Sequence, residues 1–375
     1  MTIAVNACFL NNEHLTGNGN FIVECFSRLA EKFSHHRFIF ISDKPVNEKY
    51  IASKNITSVI TGPQIKNPLL LQYWLNYKVP AVLRKNKADV FFSIGHCSLR
   101  TKVPQCLMVN ELSFLHHPHF FTRSWFRFYK KNMPNFFNNA KVVVTASQFL
   151  KQDVINFYKI KEGKIDVVYQ GINKIFIPVN WQQKEAIKEK NTAGKEYFLY
   201  TGEIHSNKNL INLLKAFSFF KKRQKSNMQL VLATTATVKD PSFNQSLAAY
   251  KYKDEVKLLN NLAIETLAAI TAAAYALVYP VFYEGFCATT LEAMQAGVPV
   301  ITSNKTVMPE ICGDAALYIN PDDFNDIADK MMLLFKDENK RDELISKGRQ
   351  QADKYNWDKT TKLLWQAMEK CNEII

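Results

Sequence analysis

Short β-branched apolar runs alternate along the chain with longer stretches whose apolar residues recur at helical spacing. In the first half this pattern predicts strands over 2–7, 37–42, 56–60, 89–93, 105–110, 141–146 and 165–169, with helices over 21–33, 70–85, 124–138 and 148–158. The second half repeats the scheme, with strands over 197–201, 228–233, 256–259, 277–280, 298–302 and 316–319 and helices over 209–222, 265–274 and 289–296. Three helical segments, 324–335, 340–355 and 357–372, finish the chain. Such alternation argues for parallel sheets covered by helices, one per half. Between the halves, 180–195 is Gln/Lys-rich and short of large apolar residues, so it reads as a linker with an exposed helix.

Composition agrees with this picture and narrows it. With 375 residues, 47% of them hydrophobic and 22% charged, the chain is globular and too long for one ordinary core. Only 12 Gly and 13 Pro, without low-complexity tracts, remove the basis for fibrous or disordered classes. The seven cysteines are scattered without a CxxC pair, which argues against a disulfide framework or structural zinc and for a reducing compartment. The first seven residues already read as a strand and a polar stretch follows at once, so a secretory signal is not expected and a cytoplasmic location is. The uncharged run 266–283 is built of Ala and Thr and carries Pro280, and so reads as a buried helix and strand rather than a membrane span.

Charge separates the halves. Residues 1–173 hold 22 Lys/Arg against 10 Asp/Glu, whereas 174–375 hold 26 against 24. From Lys54 to Lys131, twelve bases face only Asp89 and Glu111, interleaved with aromatics around Tyr73–Tyr77 and Trp125–Tyr129. That mixture suits an anionic membrane, an acidic substrate or nucleic acid. Amphipathic helices with aromatics in the core and bases in water give the same pattern, and both readings stay open.

The most informative stretch runs from Tyr279 to Ile301 and reads as strand, loop, helix, glycine stop, strand. Glu284 falls in the loop at the strand's carboxyl end and Glu292 about one turn into the helix. The backbone of Gly285, Phe286, Cys287 and Ala288 lies at the helix N-terminus, where unpaired N–H groups and the helix dipole favour a phosphate. A carboxylate accepting two hydroxyl hydrogen bonds suits the vicinal diols of a sugar or ribose.

These residues resemble the Glu-x7-Glu motif of the retaining nucleotide-sugar glycosyltransferases of family four, the glycosyl transferases of group 1. The resemblance implies an α/β GT-B fold: two Rossmann-like domains with parallel sheets facing across a cleft, 1–173 for the acceptor and 174–356 for the donor, with helix 357–375 crossing back to the first. It further implies that Glu284 binds donor-sugar hydroxyls, that Phe286, Cys287 and Ala288 supply backbone donors and that Glu292 holds the ribose. Gly202, Lys208 and Asn209 lie in a segment similar to the family's Gly…Arg-Lys-Asn loop, which makes Lys208, with Glu284, a catalytic candidate that stabilises the leaving diphosphate. Gly17, Asn18 and Gly19 resemble the family's glycine-rich loop after the first strand, and Asn110 with Glu111 falls where the family shows His-Asp. The expected partners are therefore a nucleoside diphosphate sugar, a glycan or lipid-linked acceptor and an anionic membrane surface, without nucleic acid, metal or other cofactor. The pathway so implied is assembly of bacterial surface polysaccharide or lipopolysaccharide.

The chain departs from that pattern at Asn110, at Asn207 in place of Arg, at Glu203 and at Cys287 in place of Gly. An epimerase or phosphorylase of the same fold, a sugar-nucleotide binder without turnover and a nucleic-acid-binding protein remain as alternatives. His116, His117 and His119 lack acidic neighbours in sequence and read as a surface turn.

Overall fold

The computed structural model describes residues 1–11, 15, 17–204, 208–236, 238 and 240–373. The chain divides into two compact units, one of Met1–Gly171 with Asn356–Ile375 and one of Ile172–Tyr355.

The first unit is built on seven parallel strands, β1 (Thr2–Asn6), β2 (Arg37–Ser42), β3 (Ile56–Ile60), β4 (Val90–Ile94), β5 (Gln105–Val109), β6 (Val142–Thr145) and β7 (Ile165–Val167). They lie in the order β3-β2-β1-β4-β5-β6-β7. Helices cover both faces of such a sheet, so its central strands read as continuous apolar runs. In β4 every residue of Val90-Phe91-Phe92-Ser93-Ile94 is buried. The helices are α1 (Gly17–Lys32), α2 (Pro68–Tyr73), α3 (Val79–Lys85), α4 (Ser113–His116), α5 (Arg123–Asn139) and α6 (Gln148–Tyr158). Ser147 starts α6 by accepting from the N–H of Leu150, and Lys159 ends it in the left-handed conformation.

Two expectations change here. Gly17, Asn18 and Gly19 form the first turn of α1 rather than a loop. A Cβ on Gly19 would press on the carbonyl of Phe9 and the side chain of Leu15, so this glycine serves close packing. The single helix expected over 70–85 is split by a π-helical turn, Trp74–Lys78, just before Pro80, which has no N–H to continue an α-helical ladder.

The second unit carries six parallel strands, β8 (Tyr197–Thr201), β9 (Gln229–Ala233), β10 (Val256–Leu259), β11 (Ala276–Tyr279), β12 (Val300–Ser303) and β13 (Ala316–Ile319), in the order β10-β9-β8-β11-β12-β13. Its helices are α7 (Trp181–Thr192), α8 (Leu210–Gln224), α9 (Pro241–Ala248), α10 (Ile264–Ala273), α11 (Ala288–Gln295), α12 (Met308–Cys312), α13 (Phe324–Lys336) and α14 (Glu338–Ala352). The segment read as a linker is instead α7, opened by a capping box between Asn180 and Gln183 and packed against α10. Lys188 on α7 is buried yet charged, bridged to Glu185 and Glu196, so polar composition disguised a packed face. The uncharged run 266–283 spans most of α10 and all of β11, both buried. The last helix, α15 (Trp357–Glu373), belongs to the first unit, where Trp365 stacks on Phe33 at 4.1 Å and Thr360 donates to the carbonyl of Tyr169.

Among the described residues no helix is long and apolar enough to cross a membrane.

Candidate functional site

In both sheets the order in which strands are added reverses at the centre, between β1 and β4 in the first unit and between β8 and β11 in the second. In open parallel sheets the carboxyl ends of the strands at such a reversal leave a crevice where ligands bind, because the following loops diverge to opposite faces.

In the second unit the chemistry gathers at that point. Gly202 follows β8 with φ +133°, a backbone conformation that side chains rarely adopt. The chain then reaches Lys208, whose ammonium donates to Glu284 Oε1 at 2.8 Å. The same oxygen accepts from the hydroxyl of Tyr279, the last residue of β11, at 3.0 Å. Neither contact uses Oε2, and both partners fix the carboxylate's orientation. Desolvation works against the Lys208 ammonium, but the charge of Glu284, then Tyr200, holds its pKa above the usual lysine value. Burial, and after it the Glu284 charge, keeps Tyr279 protonated and therefore a donor. Tyr200 stacks on Tyr279 at 5.6 Å and 15° and donates to the carbonyl of Glu203, closing an aromatic floor under the ion pair.

Asn209 does different work from that expected. Its carboxamide donates to the carbonyls of Pro280 at 2.6 Å and Pro321 at 2.7 Å, which ties the Lys208 loop to the end of β11 and leaves no amide hydrogen for a donor molecule. His205, Ser206 and Asn207 lie outside the described residues.

Glu284 leads through Gly285 and Phe286 to Cys287, the N-cap of α11, and Ala288 is its first residue. The Cys287 thiol is buried, which raises its pKa and makes it a packing group rather than a nucleophile. The opening turn of α11 has N–H groups without intrahelical acceptors, as every helix start does. Glu292 sits one turn further on. Burial pushes its carboxyl up to about 7, opposed by the backbone N–H of Asn173 that it accepts. Gln295 donates to the carbonyls of Asn173 at 3.0 Å and Phe176 at 2.8 Å, so α11 also anchors the segment that enters this unit.

The first unit's reversal is built mainly of amides and aromatic rings, with Glu111 as its acidic side chain. Asn110, just past β5, donates to Asn18 Oδ1 at 2.6 Å and accepts from Gln170 at 3.3 Å. Asn18 and Asn110 border a cavity of about 150 Å³ with Glu111, His96, Phe114 and Tyr129. Glu111 accepts from Ser113. Burial lowers the His96 imidazole to about 4, so it is neutral at physiological pH, with Nδ1 3.2 Å from the carbonyl of Ile94. The histidines divide: His116 pairs with Asp153 of α6 at 2.7 Å, an acidic partner that sequence proximity did not show, while the His117 and His119 rings stay edge to face at 5.8 Å. Among the described residues no three His, Cys, Asp or Glu side chains are placed to hold a metal ion.

Sequence reading missed Tyr279 and His96. Each closes a strand or begins the loop after one at a point of reversal, a position that topology marks and residue type does not.

Two Rossmann-like units with parallel sheets of seven and six strands, together with solved glycosyltransferase neighbours that cover nearly the whole chain, give the protein the GT-B fold. The family description "Glycosyl transferases group 1" matches residues 182–351, and "Glycosyltransferase Family 4" matches 17–174. The O-antigen chain mannosyltransferase RfbU of Salmonella typhimurium is 30% identical over 277 residues, 72% of this chain and 71% of that protein. O-antigen chain mannosyltransferase B of Escherichia coli is 25% identical over 358 residues, 92% of this chain and 94% of that protein. Among solved structures, HepE of Anabaena in complex with UDP-glucose superposes with a TM-score of 0.75 at 13% identity, covering 98% of each chain. The chain belongs to glycosyltransferase family four, group 1, and is an enzyme of the hexosyltransferase type.

Proposed function

We propose that this enzyme moves a hexose from a nucleoside diphosphate sugar to a growing surface polysaccharide of the O-antigen kind, retaining the anomeric configuration. The observation that carries the reading is the Lys208–Glu284–Tyr279 cluster at the β8/β11 reversal, directly before the N-terminus of α11. Glu284 Oε2 takes hydroxyls of the sugar, and Lys208 with the first turn of α11 takes the diphosphate. Charge accumulates on that diphosphate as the glycosidic bond to it breaks, so a cation already held in place stabilises the transition state more than the ground state. Glu292 takes the ribose hydroxyls.

The asparagine and aromatic cavity of the first unit holds the acceptor sugar, whose apolar face suits aromatic rings and whose hydroxyls suit amides. The two mannosyltransferase relatives favour mannose as the transferred sugar. The excess of bases over acids in residues 1–173 favours a peripheral position at a membrane carrying a lipid-linked acceptor.

A thermal-shift panel of nucleoside diphosphate sugars, followed by transfer assays, tests this reading. The expected result is one nucleotide that stabilises the protein and one sugar, mannose, that is transferred, with the product anomer matching the donor in NMR spectra. An inverted product would overturn the retaining assignment, and absence of stabilisation by every nucleotide would overturn the donor site.

A further inference from the structure

Glu284 Oε1 accepts two hydrogen bonds, from the Lys208 ammonium at 2.8 Å and from the Tyr279 hydroxyl at 3.0 Å. The two donors are held in different ways. Lys208 ends a flexible, partly exposed side chain, and a bound diphosphate competes with the carboxylate for its charge. Tyr279 is buried and fixed by its surroundings: its ring stacks on Tyr200 at 5.6 Å, its carbonyl accepts from Thr302 Oγ1 at 3.0 Å, and its backbone pairs with Thr302 of β12. The Tyr200 hydroxyl donates to the carbonyl of Glu203 at 2.9 Å and does not compete for Glu284.

A glutamate needs a rigid partner of this kind to present one chosen oxygen in one direction. Its last torsion is a broad, roughly two-fold rotor, so a carboxylate held by a single flexible cation has no fixed plane. Two donors on Oε1 fix that plane, and neither of them touches Oε2. If the cation then turns to a ligand, the tyrosine alone keeps the plane.

We propose that Tyr279 is a positioning residue for recognition of the transferred sugar: it holds Glu284 by Oε1 once the donor's diphosphate has drawn Lys208 away, and so keeps Oε2 directed at the sugar hydroxyls. The Lys208–Glu284 ion pair is then the resting arrangement of the empty site. Lys208 changes partner when the donor binds, and Tyr279 does not. This rests on the donor-site reading given above and separates two tasks within it, since Lys208 answers to the nucleotide and Tyr279, through Glu284, to the sugar. A neutral hydroxyl suits the second task, because it orients the carboxylate without neutralising it.

Steady-state kinetics of the wild type and Tyr279→Phe, with the nucleoside diphosphate sugar and with analogues that each lack one sugar hydroxyl, test this beside calorimetric titration with the nucleoside diphosphate alone. Phenylalanine keeps the ring on Tyr200 and removes only the hydroxyl. The variant should lose about 10–100-fold in kcat, the range for one hydrogen bond to a charged group, with the donor KM within about twofold of the wild type. Its affinity for the nucleoside diphosphate should not change. One deoxy donor, lacking the hydroxyl that Glu284 holds, should be a poor substrate for the wild type. Its penalty should shrink at least about threefold in Tyr279→Phe, because the two deletions act through one carboxylate and are not additive. A tyrosine that merely supported the fold would leave every deoxy penalty as it is in the wild type.

Tyr275→Phe is the control. Tyr275 precedes β11 at the end opposite Tyr279, and its hydroxyl donates to the carbonyl of Leu334 at 2.9 Å, so the variant loses a comparable bond of the same unit away from the site and should keep the wild-type kinetics. Three results would each overturn the proposal: wild-type kcat in Tyr279→Phe, a loss of nucleoside diphosphate affinity as large as the loss of transfer, or deoxy penalties equal to those of the wild type. Absence of transfer by the wild type itself would overturn the enzymatic reading and this inference with it, whereas those three results overturn this inference alone.

Discussion

The two sheets share a strand order at their centres, yet the residues at their reversals differ in kind. The second unit places an ion pair there, Lys208 with Glu284, and follows it with Glu292 at about 7. The first unit places Asn18, Asn110 and Gln170 there, with a neutral histidine, aromatic rings and a carboxylate, Glu111, in a cavity lining that among the described residues holds no Lys or Arg. Topology supplies a crevice in both, and side-chain chemistry decides what each can hold: a charged nucleotide needs compensating charge, whereas a neutral sugar needs amides and ring faces.

Substitutions that exchange these characters should break the comparison unequally. The largest effect is expected at Glu284. Glu284→Gln keeps the shape and removes the charge that orients Lys208, and transfer should fall about 10²–10³-fold while nucleotide affinity, measured by calorimetry, changes little. A parallel loss of both would return Glu284 to a purely binding role.

In the first unit the effect should be smaller and appear elsewhere. Asn110→Ala removes neutral hydrogen bonds and should raise the acceptor KM about tenfold, with the donor KM unchanged. A shift in the donor KM instead would erase the division of labour between the units.

The smallest effect concerns pH. Glu292 binds a proton more tightly folded than unfolded, so between its unfolded value near 4.5 and its folded value of about 7 stability falls as pH rises. Glu292→Gln should therefore raise the melting temperature at pH 8 by about 1 °C for each kcal/mol gained in a protein of this size, and leave it unchanged at pH 4. It should also weaken nucleotide binding. A melting temperature shifted equally at both pH values would mean that ionisation is not the cause.

Much of the sheet framework was legible as short β-rich apolar runs between turns; β2, β3, β8, β10 and β13 match their expected bounds residue for residue, the partly exposed edge strands β3, β10 and β13 included. Elements whose stability comes from long-range polar contacts were not. α7 buries Lys188 through ion pairs rather than an apolar stripe, so its composition reads as solvated. Gly17 and Gly19 look like loop residues because helix propensity penalises glycine, yet both lie in α1, and at Gly19 packing against Phe9 and Leu15 requires the small residue. At the candidate site, the sequence singled out Glu284, Glu292 and Lys208. It could not show that Glu284 and Lys208, 76 positions apart, form one ion pair, or that Asn209 is spent on the carbonyls of Pro280 and Pro321.

The account depends most on Lys208 as the cation that meets the donor's diphosphate. Calorimetric titration of the wild type and Lys208→Ala with a nucleoside diphosphate and the matching monophosphate tests this directly. The account predicts that the variant binds the diphosphate about 10–100-fold more weakly, the range for a lost charge-assisted hydrogen bond, and the monophosphate as the wild type does. Equal weakening of both ligands, or of neither, would contradict it.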